Sequence, residues 1–384
     1  MVDSFTSIPI LDYLCSQSPA TKPKFLSDLR SALVKVGFFQ IINSPLPIQL
    51  QQDALHLSAQ FFNLPTDEKV EIENINSKHF LGYSKINSES TAAQTDHNES
   101  ILMGPDLPAL GPNEPIYLNL QGPNQWPKEI SVPGFRQVFK TYYSQIQHFS
   151  VEFTALVAEA LEMPKATLTT LLGHSTSDVS RLKATRYLPP FVNASAQDGS
   201  HGIGPHKDGS FMTYLLQGGK HNCLEVQNKS GDWIPVPPVP GALVVNIGRL
   251  LEIITQGVCV ATTHRVVLRT EAFLDDEGKP LGPRVSIPFF QFVNPLLMLE
   301  ELTLDVPAHI KALAPDKIVV SDAETFYSGL FDNCIGDNVF VNHITTFPKV
   351  GERWYSDLLR QAREKQAESK RLDQQRRAAD RRSY

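Results

Sequence analysis

The spacing of hydrophobic positions changes character near the middle of the chain. In the first part, apolar residues recur at helical intervals. Phe25, Leu29, Ala32, Leu33 and Val36 share one side of a helix predicted over 22–36, and Gly37 stops it. Further helices are predicted over 46–63, ending at Leu64-Pro65, and over 135–162, where Val138, Tyr142, Ile146, Phe149, Phe153 and Leu156 recur. A shorter helix follows at 164–173. Two strand-like runs interrupt this pattern, one at 8–12 and one at Phe38-Phe39-Gln40-Ile41-Ile42. Residues 74–134, rich in Asn, Ser, Gly and Pro, are expected to form a long ordered excursion over the core.

From Leu182 the runs become short and β-rich, at 182–188, 211–217, 223–227, 233–236, 242–247, 259–269 and 284–293, with Gly, Pro and Asn between them. Regular short strands with turn signals indicate a sandwich or barrel of the jelly-roll kind. Helical periodicity returns at 321–331 and in the tail. The expected fold class is α+β. Residues 1–175 form an N-terminal helical layer, 176–350 the jelly-roll core, and 351–384 a charged C-terminal helix that frays toward Tyr384. The first two are expected to act as one catalytic unit.

Composition narrows the function classes. A hydrophobic content of 41% supports a sizeable core, and 35 basic against 41 acidic residues leave a net charge of −6. That balance gives no reason to expect a nucleic-acid partner. Cys15, Cys223, Cys259 and Cys334 are scattered without zinc-site or disulfide-framework spacing, so a reducing compartment is the default. The first residues lack a signal-peptide pattern, and no apolar stretch approaches the roughly 20 residues needed to span a bilayer. A cytoplasmic protein without membrane partners is expected.

The candidate chemistry lies in the β-rich part. His206-Lys207-Asp208 precedes the run at 211–217, and residues two apart on an extended chain project to the same face. An imidazole and a carboxylate can thus reach one ion from a single edge. His264 is a candidate third ligand, 264 − 208 = 56 residues further on. Two histidines and one carboxylate on one side of an ion leave adjacent open positions, the arrangement that suits Fe(II) oxygenases. An H-x-D pair alone is more often a surface turn, and a lone histidine more often a satisfied polar group.

Longer motifs change that weighting. The segment His206–Gln217 (HKDGSFMTYLLQ), the block Trp233–Gly248 (WIPVPPVPGALVVNIG), Thr263-His264-Arg265-Val266-Val267 and Arg284-Val285-Ser286 occur in order. They are preceded by Gly37-Phe38-Phe39-Gln40, Phe61-Phe62-Asn63-Leu64-Pro65, Gly82-Tyr83 and Thr95-Asp96. From near residue 8 to about 350 the chain resembles the isopenicillin N synthase-like family of 2-oxoglutarate/Fe(II)-dependent dioxygenases. The resemblance implies a double-stranded β-helix with iron at its mouth, held by His206, Asp208 and His264. It also implies O2 and 2-oxoglutarate as co-substrates, with Arg284 and Ser286 holding the distal carboxylate of 2-oxoglutarate. A guanidinium fork matches a carboxylate, and a hydroxyl two residues away on a strand adds a donor on the same face. Tyr187 is either a third contact or a core tyrosine.

The implied function is oxidation of a small organic molecule, by hydroxylation, desaturation or cyclisation, in secondary metabolism. Two alternatives stay open: an Fe(II) oxidase of the same fold that uses no 2-oxoglutarate, and a non-catalytic small-molecule-binding jelly roll. Arg284 lies 284 − 264 = 20 residues beyond His264, a longer interval than the family's. The intervening 270–283 carries Asp-Asp-Glu-Gly turn chemistry and is expected to lengthen a hairpin at the active-site rim. Arg269 is nearer the family's interval but lacks the partner serine, and Arg249 stands where the family often has an acidic residue. Regions 74–134, 191–205, 270–283 and the C-terminal helix are expected to cover the mouth. Phe191, His201, Phe211, Phe289 and Phe331 are candidate pocket residues, each with core packing as the competing role.

Overall fold

Helix α1 (Lys22–Ser31) forms as its apolar spacing predicts and runs on into a π-helical turn over Ala32–Val36. Gly37 ends it at φ 68°. A side chain there would be doubly disfavoured, because a Cβ would also collide with the carbonyl oxygen of Val260. The computed structural model describes residues 4–91, 94–111, 113–173, 177–193, 195–298, 302, 304–314 and 334–380. The helix expected over 321–331, and Phe331 with it, lie outside the described residues.

The strands are β1 (Ile10–Asp12), β2 (Phe38–Ile42), β3 (Gly82–Ser84), β4 (Ser90–Thr91), β5 (Gln94–Thr95), β6 (Glu99–Met103) and β7 (Arg181–Tyr187) in the first part. They continue as β8 (Ser200–His206), β9 (Met212–Gln217), β10 (Leu224–Gln227), β11 (Trp233–Pro235), β12 (Leu243–Ile247), β13 (His264–Leu268) and β14 (Arg284–Gln291). An eight-stranded sheet has the order β1-β2-β12-β9-β14-β7-β6-β3, and a four-stranded sheet the order β11-β10-β13-β8. The inward faces meet in a core that includes Phe38, Tyr187, Leu224, Val226, Val244, Val266 and Leu268. This is an α+β fold on a double-stranded β-helix.

The outward face of the large sheet is covered by helix α4 (Phe135–Ala160), with α2 (Ile48–Phe62) beside it. The short α3 (Thr66–Val70) follows α2. Tyr142, Ile146, Phe149, Phe153 and Leu156 of α4 are all buried, as their period requires. Aromatic rings interlock across this interface: Phe149 and Phe153 lie 5.8 Å and 6.2 Å from Tyr214, and Tyr143 lies 5.5 Å from Phe289. Between Pro164 and Gly173 only α5 (Ala166–Thr169) is α-helical, shorter than the predicted segment.

Two differences from the sequence reading have clear causes. Residues 74–134 do not merely pass over the core, because β3 and β6 extend the large sheet beyond β7. With β1 and β2, the first 175 residues therefore supply four of its eight strands. The junction is a buried charge cluster: Glu99 of β6 pairs with Lys69 at 2.9 Å, accepts the Tyr83 hydroxyl at 2.7 Å, and binds Arg186, its register partner on β7. Second, Ser200–His206 is a strand although Gly202, Gly204 and Pro205 give it little β-propensity. Gly202 is required by close approach, since a Cβ would sit 2.6 Å from the Tyr187 ring.

After α6 (Arg249–Ile254) and the short α7 (Ala308–Lys311), helices α8 (Ile335–Thr346), α9 (Pro348–Trp354) and α10 (Ser356–Asp380) close over the excursion. Phe80 is packed among Phe340, His343, Phe347 and Tyr355, with ring centroids 5.6–6.2 Å away. Trp354 Nε1 and the Tyr355 hydroxyl donate to the carbonyls of Ile75 and Lys78. The charged tail is thus anchored at its start by Leu359 and Ala362, both buried. No helix of the described residues is long and apolar enough to cross a membrane.

Removing Glu99 would leave the buried Lys69 and the partly buried Arg186 without their carboxylate. Breaking a buried pair in this way costs about 3–5 kcal/mol. Glu99→Ala should lose stability of that order in urea unfolding, whereas breaking an exposed pair such as Lys128–Glu71 should leave the unfolding midpoint nearly unchanged.

Candidate metal centre

The small sheet brings the three candidate ligands together. β13 pairs antiparallel with β8 so that His264 faces His206 directly. Their ring centroids are 4.3 Å apart. Asp208 lies just past the end of β8, its Oδ1 3.4 Å from His206 Nε2 and 3.7 Å from His264 Nε2. One ligand atom from each residue falls within a cluster no wider than 4.8 Å.

Surrounding groups fix the orientation of each. The Nδ1 positions of His206 and His264 face the carbonyls of Gly204 (2.8 Å) and Thr262 (3.2 Å). A proton on each Nδ1 leaves both Nε2 lone pairs aimed at the common point. Asp208 uses Oδ2 to accept from Thr213 Oγ1 at 2.6 Å and Asn246 Nδ2 at 2.9 Å, which frees Oδ1. Burial works to raise the Asp208 pKa, but in the acid range, where the imidazoles are protonated, the charges of His264 and His206 together with the Asn246 hydrogen bond outweigh it and hold the carboxyl well below the usual range. Burial and the neighbouring His206 push His264 down to about 4, so this imidazole is neutral at pH 7. Burial also disfavours charge on His206, but its hydrogen bond to Asp208 and that carboxylate's charge raise its pKa. An ionised carboxylate beside a neutral imidazole is the donor chemistry a divalent cation requires.

His264 is the first residue of β13. The backbone of 260–263 is held by other elements: Val260 N–H donates to the Leu33 carbonyl, and the Thr262 hydroxyl to the Val36 carbonyl, both in the π-helical turn. The Phe38 ring then lies 5.2 Å from His264.

The second group sits deeper between the sheets. Arg284 and Ser286 face inward from β14, and Tyr187 stands opposite Arg284 on β7. The guanidinium is only 1% exposed. Its contacts are neutral: Ser286 Oγ at 3.4 Å, Gln217 Oε1 at 3.0 Å and the Tyr187 ring at 5.0 Å. Arg284 Nε has no hydrogen-bond partner. Among the described residues no carboxylate pairs with this buried cation. An unpaired buried charge is costly, and an anion between the sheets would offset that cost. Arg269, the other sequence candidate, is already bound to Glu225 at 2.6 Å.

The candidate pocket residues separate. Phe289 is fully buried on the opposite face of β14 from Arg284 and Ser286, against Tyr143 and Tyr214. Phe211 also lies in the large core. His201 is directed away from the interior, where charges on Arg265, Glu225 and Arg269 act on it. Phe191 is half-exposed on the turn after β7. By the pleat, the inward phenylalanine of β14 is Phe290, the register partner of Thr213, whose hydroxyl binds Asp208. The motif blocks contained Thr213, Asn246 and Gln217, but their roles depend on strand register, which spacing alone does not give.

The insertion at 270–283 is also placed differently from expectation. β13 starts at the candidate ligand cluster with His264 and β14 starts at Arg284, so their connection leaves the barrel at the end remote from that cluster. Phe273 anchors it, fully buried and 5.1 Å from the His221 ring. Its turn accordingly lengthens the closed end and not the rim.

Three candidate ligands at one end of a double-stranded β-helix, with a buried arginine lacking a carboxylate partner toward the other, fit the class of mononuclear iron oxygenases that use 2-oxoglutarate. The known proteins agree. Residues 8–129 match the family model described as "non-haem dioxygenase in morphine synthesis N-terminal", and 180–293 that of the 2OG-Fe(II) oxygenase superfamily. A 2-oxoglutarate-dependent dioxygenase of Gibberella zeae is 69% identical over 380 residues, spanning 99% of both chains. The 2-oxoglutarate-dependent dioxygenase frbJ of a Dothideomycetidae species is 38% identical over 373 residues, spanning 95% of this chain and 97% of its own. The crystal structure of a full-length Neurospora crassa protein in complex with alpha-KG superposes with a TM-score of 0.62 at 22% identity, over 76% of this chain and 86% of that one. The chain belongs to the isopenicillin N synthase-like family of 2-oxoglutarate/Fe(II)-dependent oxygenases, and it is a dioxygenase that uses Fe(II) and 2-oxoglutarate.

The opposite placement of neighbouring phenylalanines is testable by unfolding. Phe289→Ala should destabilise the protein by about 3–5 kcal/mol in urea, as expected for a core phenylalanine. Phe290→Ala, at a half-buried position, should cost clearly less.

Proposed function

We propose that His206, Asp208 and His264 are the Fe(II) ligands, and that Arg284, Ser286 and Tyr187 receive the distal carboxylate of 2-oxoglutarate. The observation that carries this reading is the buried guanidinium of Arg284, which lacks a carboxylate partner and faces the same interior as the triad. A dicarboxylate seated there satisfies the cation and directs its 2-keto acid end toward the metal ligands. Thr213 and Asn246 hold Asp208 in one orientation, so the ligand set is preorganised before the metal enters. Phe38 and Phe290 supply apolar surface beside the ligands and keep water from the reacting centre. The chemistry that Fe(II) supplies when bound is reduction of O2, coupling decarboxylation of 2-oxoglutarate to succinate with oxidation of a substrate C–H bond.

The substrate reading is a small organic molecule of secondary metabolism. It is supported by the likeness to frbJ and to the clavatol oxidase claD of Penicillium crustosum, the latter 31% identical over 278 residues. A cytoplasmic setting is supported by Cys15, Cys223, Cys259 and Cys334, all of which are free thiols.

The test is 2-oxoglutarate turnover with succinate as the measured product. The parent protein should release succinate only with Fe(II) present. In Arg284→Gln the KM for 2-oxoglutarate should rise about 30-fold or more, the equivalent of roughly 2 kcal/mol for losing a buried charge pair. Unchanged KM in that variant, or substrate oxidation without succinate, would overturn the carboxylate assignment.

A further inference from the structure

The two segments that carry the candidate ligands are joined by more than the β8–β13 ladder. Helix α6 lies beside both, and its Glu252 contacts each of them. Lys207, the residue between His206 and Asp208, places Nζ 3.4 Å from Glu252 Oε1. The same oxygen accepts the backbone N–H of Ala261 at 2.9 Å, three residues before His264. The other carboxylate oxygen lies 3.4 Å from the Arg249 guanidinium, and the Arg249 N–H donates to the carbonyl of Asp208 at 2.8 Å. The side chains of Lys207, Arg249 and Glu252 are 15%, 20% and 19% exposed, so these pairs are partly withdrawn from water and outweigh ordinary surface pairs. Arg249, which replaces the acidic residue common in the family, thereby has a role: it is a second cation for Glu252.

We infer that Glu252 is a positioning residue for the metal centre, a single carboxylate that sets the distance between the His206–Asp208 edge and His264. The inference rests on the assignment of those three residues as ligands. From the other side, the crossing segment is fixed by the Leu33 and Val36 carbonyls, so Glu252 supplies the only charged tie among the described contacts of residues 260–262. Without it, Ala261 loses its hydrogen-bond acceptor and Lys207 its counter-charge, and both ligand segments gain freedom at the same time.

The test is anaerobic titration of the metal-free protein with Co(II), followed through the visible ligand-field band, alongside urea unfolding of the same metal-free samples. The parent should bind Co(II), and His264→Ala should lose the band. Glu252→Ala should bind about 10- to 100-fold more weakly, the range typical for groups that orient metal ligands. Glu252→Gln keeps an acceptor for Ala261 but no charge for Lys207 and Arg249, so its affinity should fall between the two. Lys207→Met should weaken binding severalfold. A purely structural role would lower the unfolding midpoint while leaving Co(II) affinity and spectrum at parent values, and that result would overturn the inference. If Glu252→Ala does not fold, parent-like affinity in both Glu252→Gln and Lys207→Met would do the same. Absence of Co(II) binding by the parent would instead remove the ligand assignment on which the inference stands.

Discussion

The organisation of this protein depends on one strand pairing, in which β13 meets β8 with His264 opposite His206. A slip of one residue along that ladder would turn His264 out of the barrel interior, because side chains alternate between faces. Much of the surrounding structure restrains this register. The π-helical turn at Ala32–Val36 offers carbonyls to the segment that leads into His264, and Gly37 permits that segment to approach without a side-chain clash. On the partner strand, Gly202 lets β8 press against Tyr187. Irregular backbone is thus concentrated beside the centre, whereas the large sheet behind it is a regular ladder packed on α4.

Much of this was legible in the sequence because it rests on short-range pattern. The helical period of 135–162, the alternation in the later strands and the order of the motif blocks each reflect a local rule. What was hidden depends on pairs distant along the chain. The helix-facing and inward-facing neighbours Phe289 and Phe290 differ only in pleat parity, which requires the pairing with Thr213 and Tyr214 to resolve. Strand β6 was masked by a Gly- and Asn-rich context, and it is held in the sheet by Lys69 and Arg186, which lie 30 and 87 residues away from Glu99. Strand β8 was masked by glycines that serve packing and not flexibility.

Electrostatics separates the two kinds of buried charge in this molecule. Glu99, Lys69 and Arg186 satisfy one another and join the N-terminal strands to the barrel. Arg181, equally buried, donates to the carbonyls of Val179, Ser180 and Leu120, and burial lowers its pKa to about 10. Arg284 has no comparable set of backbone acceptors: its polar contacts are the side chains of Ser286 and Gln217. The contrast distinguishes charges satisfied by carboxylates or backbone carbonyls from one met by neutral side chains alone.

The connection from β13 to β14 departs from the barrel floor, and its Asp275–Gly278 turn is held by backbone and Asp275 hydrogen bonds at the surface. Chain length there is uncoupled from the His206–Asp208–His264 end, since the connection leaves β13 at Leu268 and is anchored by Phe273 against the His221 ring. This loop is therefore a natural splice point, where a tag, a reporter or a tethered second enzyme could be carried at a distance from the His206–Asp208–His264 cluster.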